Sequence, residues 1–168
     1  MGTPKFAVPI LKVIKKSQNK LLEIYTQPPK KKNRGQKIGN SPVFDCAIQL
    51  GLKVRCPESL SNQDEINHIK KLNPDIVIVV AYGQILPVAL LNLKNILFLN
   101  VHASLLPKWR GAAPIQRAIM NKDKETGVSI MKIISKLDAG PVLLKSKIKI
   151  SKESTYQDIS EKMSLLGA

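Results

Sequence analysis

The sequence is poor in cysteine and in acidic residues, and it has no long hydrophobic run. Its 168 residues include two cysteines, Cys46 and Cys56, whose spacing fits neither a metal-ligand motif nor a disulfide framework and is typical of a reducing compartment. No apolar run approaches the roughly 18 residues that a transmembrane helix needs. The start, Met1–Pro4, lacks the basic and apolar stretches of a secretory signal. We therefore expect a globular cytoplasmic protein without membrane contact.

The shortage of acidic residues leaves a large positive charge. Twelve Asp and Glu stand against 27 Lys and Arg, which gives a formal net charge of +15. A strongly basic surface attracts polyanions, so nucleic acid is a natural partner to consider. Of the basic residues, however, 23 are Lys and only 4 are Arg, a bias that an AT-rich genome would produce without selection for binding. Both interpretations stay open at this point.

Helical and strand-like patterns alternate along the chain. Short, continuous apolar runs separated by amphipathic segments are typical of a doubly wound α/β domain with a mostly parallel sheet. We treat residues 1–168 as one domain. The predicted helices lie at Phe6–Ile14, Ser41–Gly51, Asn62–Leu72, Pro114–Asn121 and from Thr155 onward; the predicted strands lie at Leu21–Thr26, Lys53–Arg55, Asp75–Gly83, Ile96–His102, Gly127–Ile134 and Val142–Ile150.

Two polar side chains stand where a buried strand ends. Asn100 and His102 close the run "ILFLNVH" and lie two residues apart, so they share one side of the strand. An amide donor and an imidazole on one side can serve a single reacting carbonyl, because one stabilises an oxyanion and the other moves a proton. Asp138, in "KLDAGP", is a plausible partner for the imidazole. On its own, an Asn-x-His pair is more often structural than catalytic.

The motifs around these residues resemble a known family. "NVHASLLPKWRGAAPIQ" and "ETGVSIMKIISKLDAGPVLL" resemble the folate-dependent formyltransferases, which move a formyl group from 10-formyltetrahydrofolate to an amine. "GTPKFAVPIL", "VVAYGQILP" and "WRGAAPIQRAI" are more similar to the members that act on initiator methionyl-tRNA. The resemblance implies a Rossmann-like fold, no metal, and a monomer that serves translation initiation.

Carried onto this sequence, the family's catalytic Asn, His and Asp are Asn100, His102 and Asp138. The mechanism implied is attack of the methionyl α-amine on the formyl carbon. Asn100 and protonated His102 would stabilise the oxyanion, and Asp138 would favour the charged imidazole.

The resemblance also implies where the two substrates bind. The folate would lie along a loop directly after the catalytic pair, with Gln84–Pro87 as a second wall. The basic loop Lys30–Lys37 would approach the tRNA acceptor stem, and Arg34 suits a bidentate phosphate contact. The predicted folate-contacting residues are Ser104, Leu105, Leu106 and Pro107.

Two parts of the family pattern are missing from the sequence. Family members carry a first β-strand before the Gly2–Pro4 turn and a C-terminal barrel-like domain that grips tRNA; this sequence holds neither, so we expect it to be a fragment. One alternative is a non-catalytic folate- or RNA-binding remnant of the enzyme. Another is a sister formyltransferase that acts on a sugar nucleotide or a small amine.

Overall fold

A computed structural model describes residues 1–32 and 37–168 of the chain. Its elements alternate much as the apolar periodicity predicts. A single 3-10 turn, Lys5–Ala7, precedes the first helix. The helices are α1 (Val8–Lys16), α2 (Pro42–Gln49), α3 (Gln63–Leu72), α4 (Val88–Leu91), α5 (Pro114–Met120) and α6 (Tyr156–Leu166). The strands are β1 (Ile24–Tyr25), β2 (Lys30–Lys32), β3 (Lys37–Gly39), β4 (Val54–Arg55), β5 (Ile76–Val79), β6 (Leu97–His102), β7 (Glu125–Lys132) and β8 (Val142–Lys149).

The main sheet has four strands in the order β5-β6-β7-β8. β5 and β6 are parallel, whereas β6–β7 and β7–β8 are antiparallel. β1 and β4 form a second parallel pair. The Met1–Gly2 segment lies between the two sheets: Gly2 donates its N–H to the carbonyl of Tyr25, and Val80 donates to the carbonyl of Met1, both at 2.9 Å. Parallel pairing therefore dominates the N-terminal half, and the α/β prediction is confirmed.

Helix ends follow the capping signals in the sequence. Ser41 accepts the N–H of Phe44 at 2.9 Å, and Pro42 begins α2, as "SPVF" predicts. Thr155 forms a reciprocal capping box with Asp158 at the start of α6. These caps fix the N-terminal ends of α2 and α6.

Helices cover both faces of the sheet, as the doubly wound prediction requires. On one face, Val80, Val101 and Val128 pack against apolar residues of α1, α2, α5 and α6. On the other face, Val77, Val79 and Phe98 pack with Ile69 of α3 and Leu90 of α4. Successive residues of one strand thus pack against helices on opposite faces of the sheet. Among the described residues, no helix combines the length and the apolar character that a bilayer crossing requires.

Candidate active site

The site begins with two side chains on β6, the central strand that pairs with both β5 and β7. In the strand register, Asn100 lies opposite Val79 and Met131, and His102 lies opposite Ser129. Their spacing of two places them on the same side, as predicted. His102 is buried, while Asn100 is half-buried at the end of the sheet where β5 gives way to a loop. In parallel sheets, ligands bind beyond this end of the strands.

Asp138 comes to the same place from the segment between β7 and β8. One carboxylate oxygen, Oδ2, accepts the N–H of Gly111 at 2.7 Å and lies 3.6 Å from Nδ1 of His102. The other, Oδ1, lies 3.4 Å from Nδ2 of Asn100, which donates to it. The structure thus brings together the three residues that the sequence singled out, although they come from two parts of the chain.

Both ring nitrogens of His102 face acceptors. Nδ1 points at the Asp138 carboxylate, and Nε2 lies 3.0 Å from the main-chain carbonyl of Trp109. A neutral imidazole has one N–H, so it donates to only one of these two acceptors at a time.

The trio opens into a large cavity. Its volume is about 1340 Å³, above the 300–1,000 Å³ typical of a pocket for one small ligand, so two substrates fit together. Most of its walls are apolar, and its polar side chains include the trio, Lys5, Lys12 and several residues of α6. The walls also include Gln84, Ile85 and Leu86 after β5 and Ile133, Ile134 and Leu137 after β7.

Several residues around this cavity hold a left-handed backbone although they are not glycine. They are Ala81 (φ 45°), Trp109 (φ 58°), Ala113 (φ 59°) and Asp138 (φ 44°). Such conformations cost of order 1–3 kcal/mol each and persist only where surrounding contacts impose them. Their concentration here is typical of a functional site. Two of these residues, Trp109 and Asp138, direct a carbonyl and a carboxylate toward His102.

The predicted folate segment, in contrast, does not line the cavity. Ser104 is fully buried and donates its hydroxyl to the carbonyl of Lys108 at 2.5 Å. Leu106 is also buried, and its N–H donates to the hydroxyl of Ser129. Neither Leu105 nor Pro107 belongs to the cavity wall. Ser104 and Leu106 therefore pack behind the cavity wall, whereas Pro107 is exposed to solvent.

The second predicted wall does reach the cavity. Gln84, Ile85 and Leu86 line it, and Ile85 is 91% exposed at its edge. The opposite wall, Ile133, Ile134 and Leu137, was not predicted. Its only signal in the sequence is the set of apolar residues that precede Asp138 in "IISKLD".

The basic loop predicted to approach tRNA, Lys30–Lys37, lies partly outside the described residues. Arg34 lies in the segment 33–36, which the structure leaves undescribed. Its flanks pair as the antiparallel strands β2 and β3. Gln27, just before β2, donates its side-chain amide to the carbonyl of Gly83 at 2.5 Å. Because Gly83 belongs to the cavity wall, the basic strands are tied directly to the edge of the cavity.

Comparison with known proteins agrees with this geometry. The chain is 54% identical to methionyl-tRNA formyltransferase from Pelagibacter ubique over all of its own length and 54% of that protein. It is 49% identical to the enzyme of the same name from Coxiella burnetii, covering 99% of the chain and 53% of the relative. The chain thus spans about half the length of these relatives.

Solved structures share the fold. Phosphoribosylglycinamide formyltransferase from Bacillus halodurans superposes with a TM-score of 0.79 at 19% identity, over 99% of this chain and 86% of that one. A sugar N-formyltransferase from Shewanella sp. gives a TM-score of 0.61 at 27% identity, over 71% and 46%. The family model described as formyl transferase matches residues 1–167. The chain therefore belongs to the formyl transferase family.

Proposed function

We propose that this chain carries the catalytic site for transfer of a formyl group from 10-formyltetrahydrofolate to the α-amine of methionyl-tRNA. The observation that supports it most is the meeting of Asn100, His102 and Asp138 at one cavity wall. The choice of acceptor is supported by the two relatives at 54% and 49% identity, both named methionyl-tRNA formyltransferase.

Each member of the trio has a distinct part in the proposed reaction. The amine nitrogen bonds to the formyl carbon, the bond from that carbon to the folate nitrogen breaks, and the amine proton passes to the departing nitrogen. Asn100 Nδ2 donates to the formyl oxygen as negative charge develops on it, and the Nε2–H of His102, which lies 3.0 Å from the Trp109 carbonyl, is shared with that oxygen when the substrates are bound. Asp138, fixed by the N–H of Gly111, keeps the imidazole oriented.

The cavity walls suit the two proposed substrates. The apolar side chains of Ile85, Leu86, Ile133 and Leu137 suit contact with a flat aromatic ring. The wall that α6 contributes would hold the methionyl end of the acceptor. The net charge of +15 favours the approach of a polyanion, and Arg34 suits a phosphate contact at the acceptor stem.

The test compares His102→Ala and Asn100→Ala with wild type in the protein as it occurs in its cell. Turnover should fall by roughly 10²-fold or more, because each variant loses a donor to the oxyanion. Affinity for the folate should stay within about twofold, since the apolar walls remain. Activity within a few-fold of wild type in both variants would remove these residues from the mechanism.

His68→Ala provides the matched control. This second histidine lies on α3, where it bonds to Glu23 at 2.8 Å, and it does not line the cavity. Its removal should leave turnover within about twofold of wild type. Saturable folate binding without transfer by the wild-type protein would instead favour the non-catalytic alternative.

A further inference from the structure

One buried carboxylate near the site has no part in the proposed reaction. Asp123 lies between α5 and β7, and its side chain is only 6% exposed. It accepts hydrogen bonds from the indole Nε1 of Trp109 at 2.7 Å, from Nζ of Lys108 at 2.9 Å and from Nδ2 of Asn121 at 2.7 Å. Burial alone would raise the pKa of this carboxyl, but these donors hold it below its usual value. Asp123 is therefore an ionised anchor for the segment that carries Trp109.

The anchored segment reaches the site through its main chain. Trp109 has φ 58°, a conformation that a bulky residue adopts only when something holds it. In this conformation its carbonyl oxygen lies 3.0 Å from Nε2 of His102. The indole bond to Asp123 is the contact that fixes the other end of the same residue.

The consequence for His102 follows from its surroundings. Its second partner, Asp138, lies 3.6 Å from Nδ1, beyond the length of a good hydrogen bond. The Trp109 carbonyl is thus the closest polar contact of the ring and the one that assigns a proton to Nε2. If the indole is released, Trp109 can relax toward an unstrained backbone, and its carbonyl turns away from the ring.

We propose that Asp123 is a positioning residue for His102, acting through the indole and the carbonyl of Trp109. This proposal depends on the proposed function in one respect: it takes His102 to be a catalytic residue. It explains why a buried carboxylate outside the cavity is joined, by two consecutive hydrogen bonds, to the imidazole of the site.

Trp109→Phe is the sharpest variant, because it removes the indole N–H and keeps an aromatic ring. We expect kcat to fall by about tenfold while KM for the folate and for methionyl-tRNA changes less than about twofold. Asp123→Ala should behave in the same way. Asp123→Asn should recover part of the loss, since its amide oxygen still accepts the indole N–H. Asp64→Ala, an exposed carboxylate at the start of α3, is the matched control and should stay within about twofold.

A second readout does not depend on turnover. In a His68→Gln background, His102 is the only histidine of the sequence, so its ring nitrogens can be followed singly by ¹⁵N NMR. Wild type should show a proton held on Nε2. Trp109→Phe and Asp123→Ala should shift that nitrogen toward a mixture of tautomers.

The two readouts separate the two proposals. Absence of transfer in wild type would count against the proposed function, and the NMR spectra would still decide the positioning of His102. Full transfer in wild type, with the same kcat and the same ¹⁵N spectrum in Trp109→Phe, would overturn the positioning proposal alone.

Discussion

Ser129→Ala is the substitution whose cost follows most directly from the contacts around the site. The Ser129 side chain is fully buried in β7, and its hydroxyl joins two points of the loop after β6. It donates to the carbonyl of Ser104 at 2.7 Å and accepts the N–H of Leu106 at 3.0 Å. Alanine fits the same space but offers no hydrogen-bonding group.

The expected loss comes from the two backbone groups left without this partner. Leaving a buried donor or acceptor unsatisfied costs about 1–3 kcal/mol, so the two together should lower the free energy of unfolding by about 2–6 kcal/mol. For a domain of this size each kcal/mol corresponds to about 2–4 °C, and the expected fall in Tm is thus roughly 4–24 °C. Urea unfolding followed by circular dichroism measures the free energy, and thermal unfolding measures Tm.

Ser146→Ala is the control, because it makes the same change at an exposed position of the neighbouring strand β8. Its effect should stay within about 0.5 kcal/mol. If Ser129→Ala also cost less than about 0.5 kcal/mol, the hydroxyl would not be the bridge that holds the loop.

Two further predictions concern stability away from the catalytic trio. In Gly140→Ala, the new Cβ would lie 1.9 Å from the carbonyl oxygen of Lys132, so the free energy of unfolding should fall by about 1–3 kcal/mol. Gly51→Ala meets open space but has φ 66°, so it should cost about 1 kcal/mol. Equal losses for the two variants in urea unfolding would refute the clash at Gly140. The hydrogen bonds from Arg55 lower the pKa of the Glu65 carboxyl, so this group stabilises the fold above its ordinary pKa of 4.5, and the contribution disappears as pH falls through the folded value. Between about pH 5 and pH 3, Tm should therefore fall more steeply in wild type than in Arg55→Gln, and identical slopes would contradict the assignment.

The fold was predictable to the extent that local patterns determine it. Periodicity identified the long strands and every described helix except the one-turn α4, and Ser41 and Pro42 marked the start of α2. The antiparallel direction of β7 and β8 was not predictable, because it depends on how the chain returns to the sheet after His102 and again after Lys132.

The geometry of the candidate site was predictable where one strand carries it, and it was not predictable where tertiary packing builds it. Asn100 and His102 follow from a period of two, but the approach of Asp138 depends on the N–H of Gly111, 27 residues away in the chain. The loop Ser104–Pro107 looks like an exposed apolar wall in the sequence. In the structure Ser129 and other buried groups hold it behind the site. Asp123 gave no local signal, since its partners only become neighbours on folding.

Acceptor choice tests the central proposal most directly. We would measure kcat/KM for 10-formyltetrahydrofolate-dependent formylation of methionyl-tRNA, of an amino-sugar nucleotide and of glycinamide ribonucleotide, using the protein as it occurs in its cell. The proposal predicts that methionyl-tRNA is the best acceptor and that His102→Ala abolishes most of that rate. A higher value for either small amine would contradict it and would assign the same trio to a different formyl acceptor.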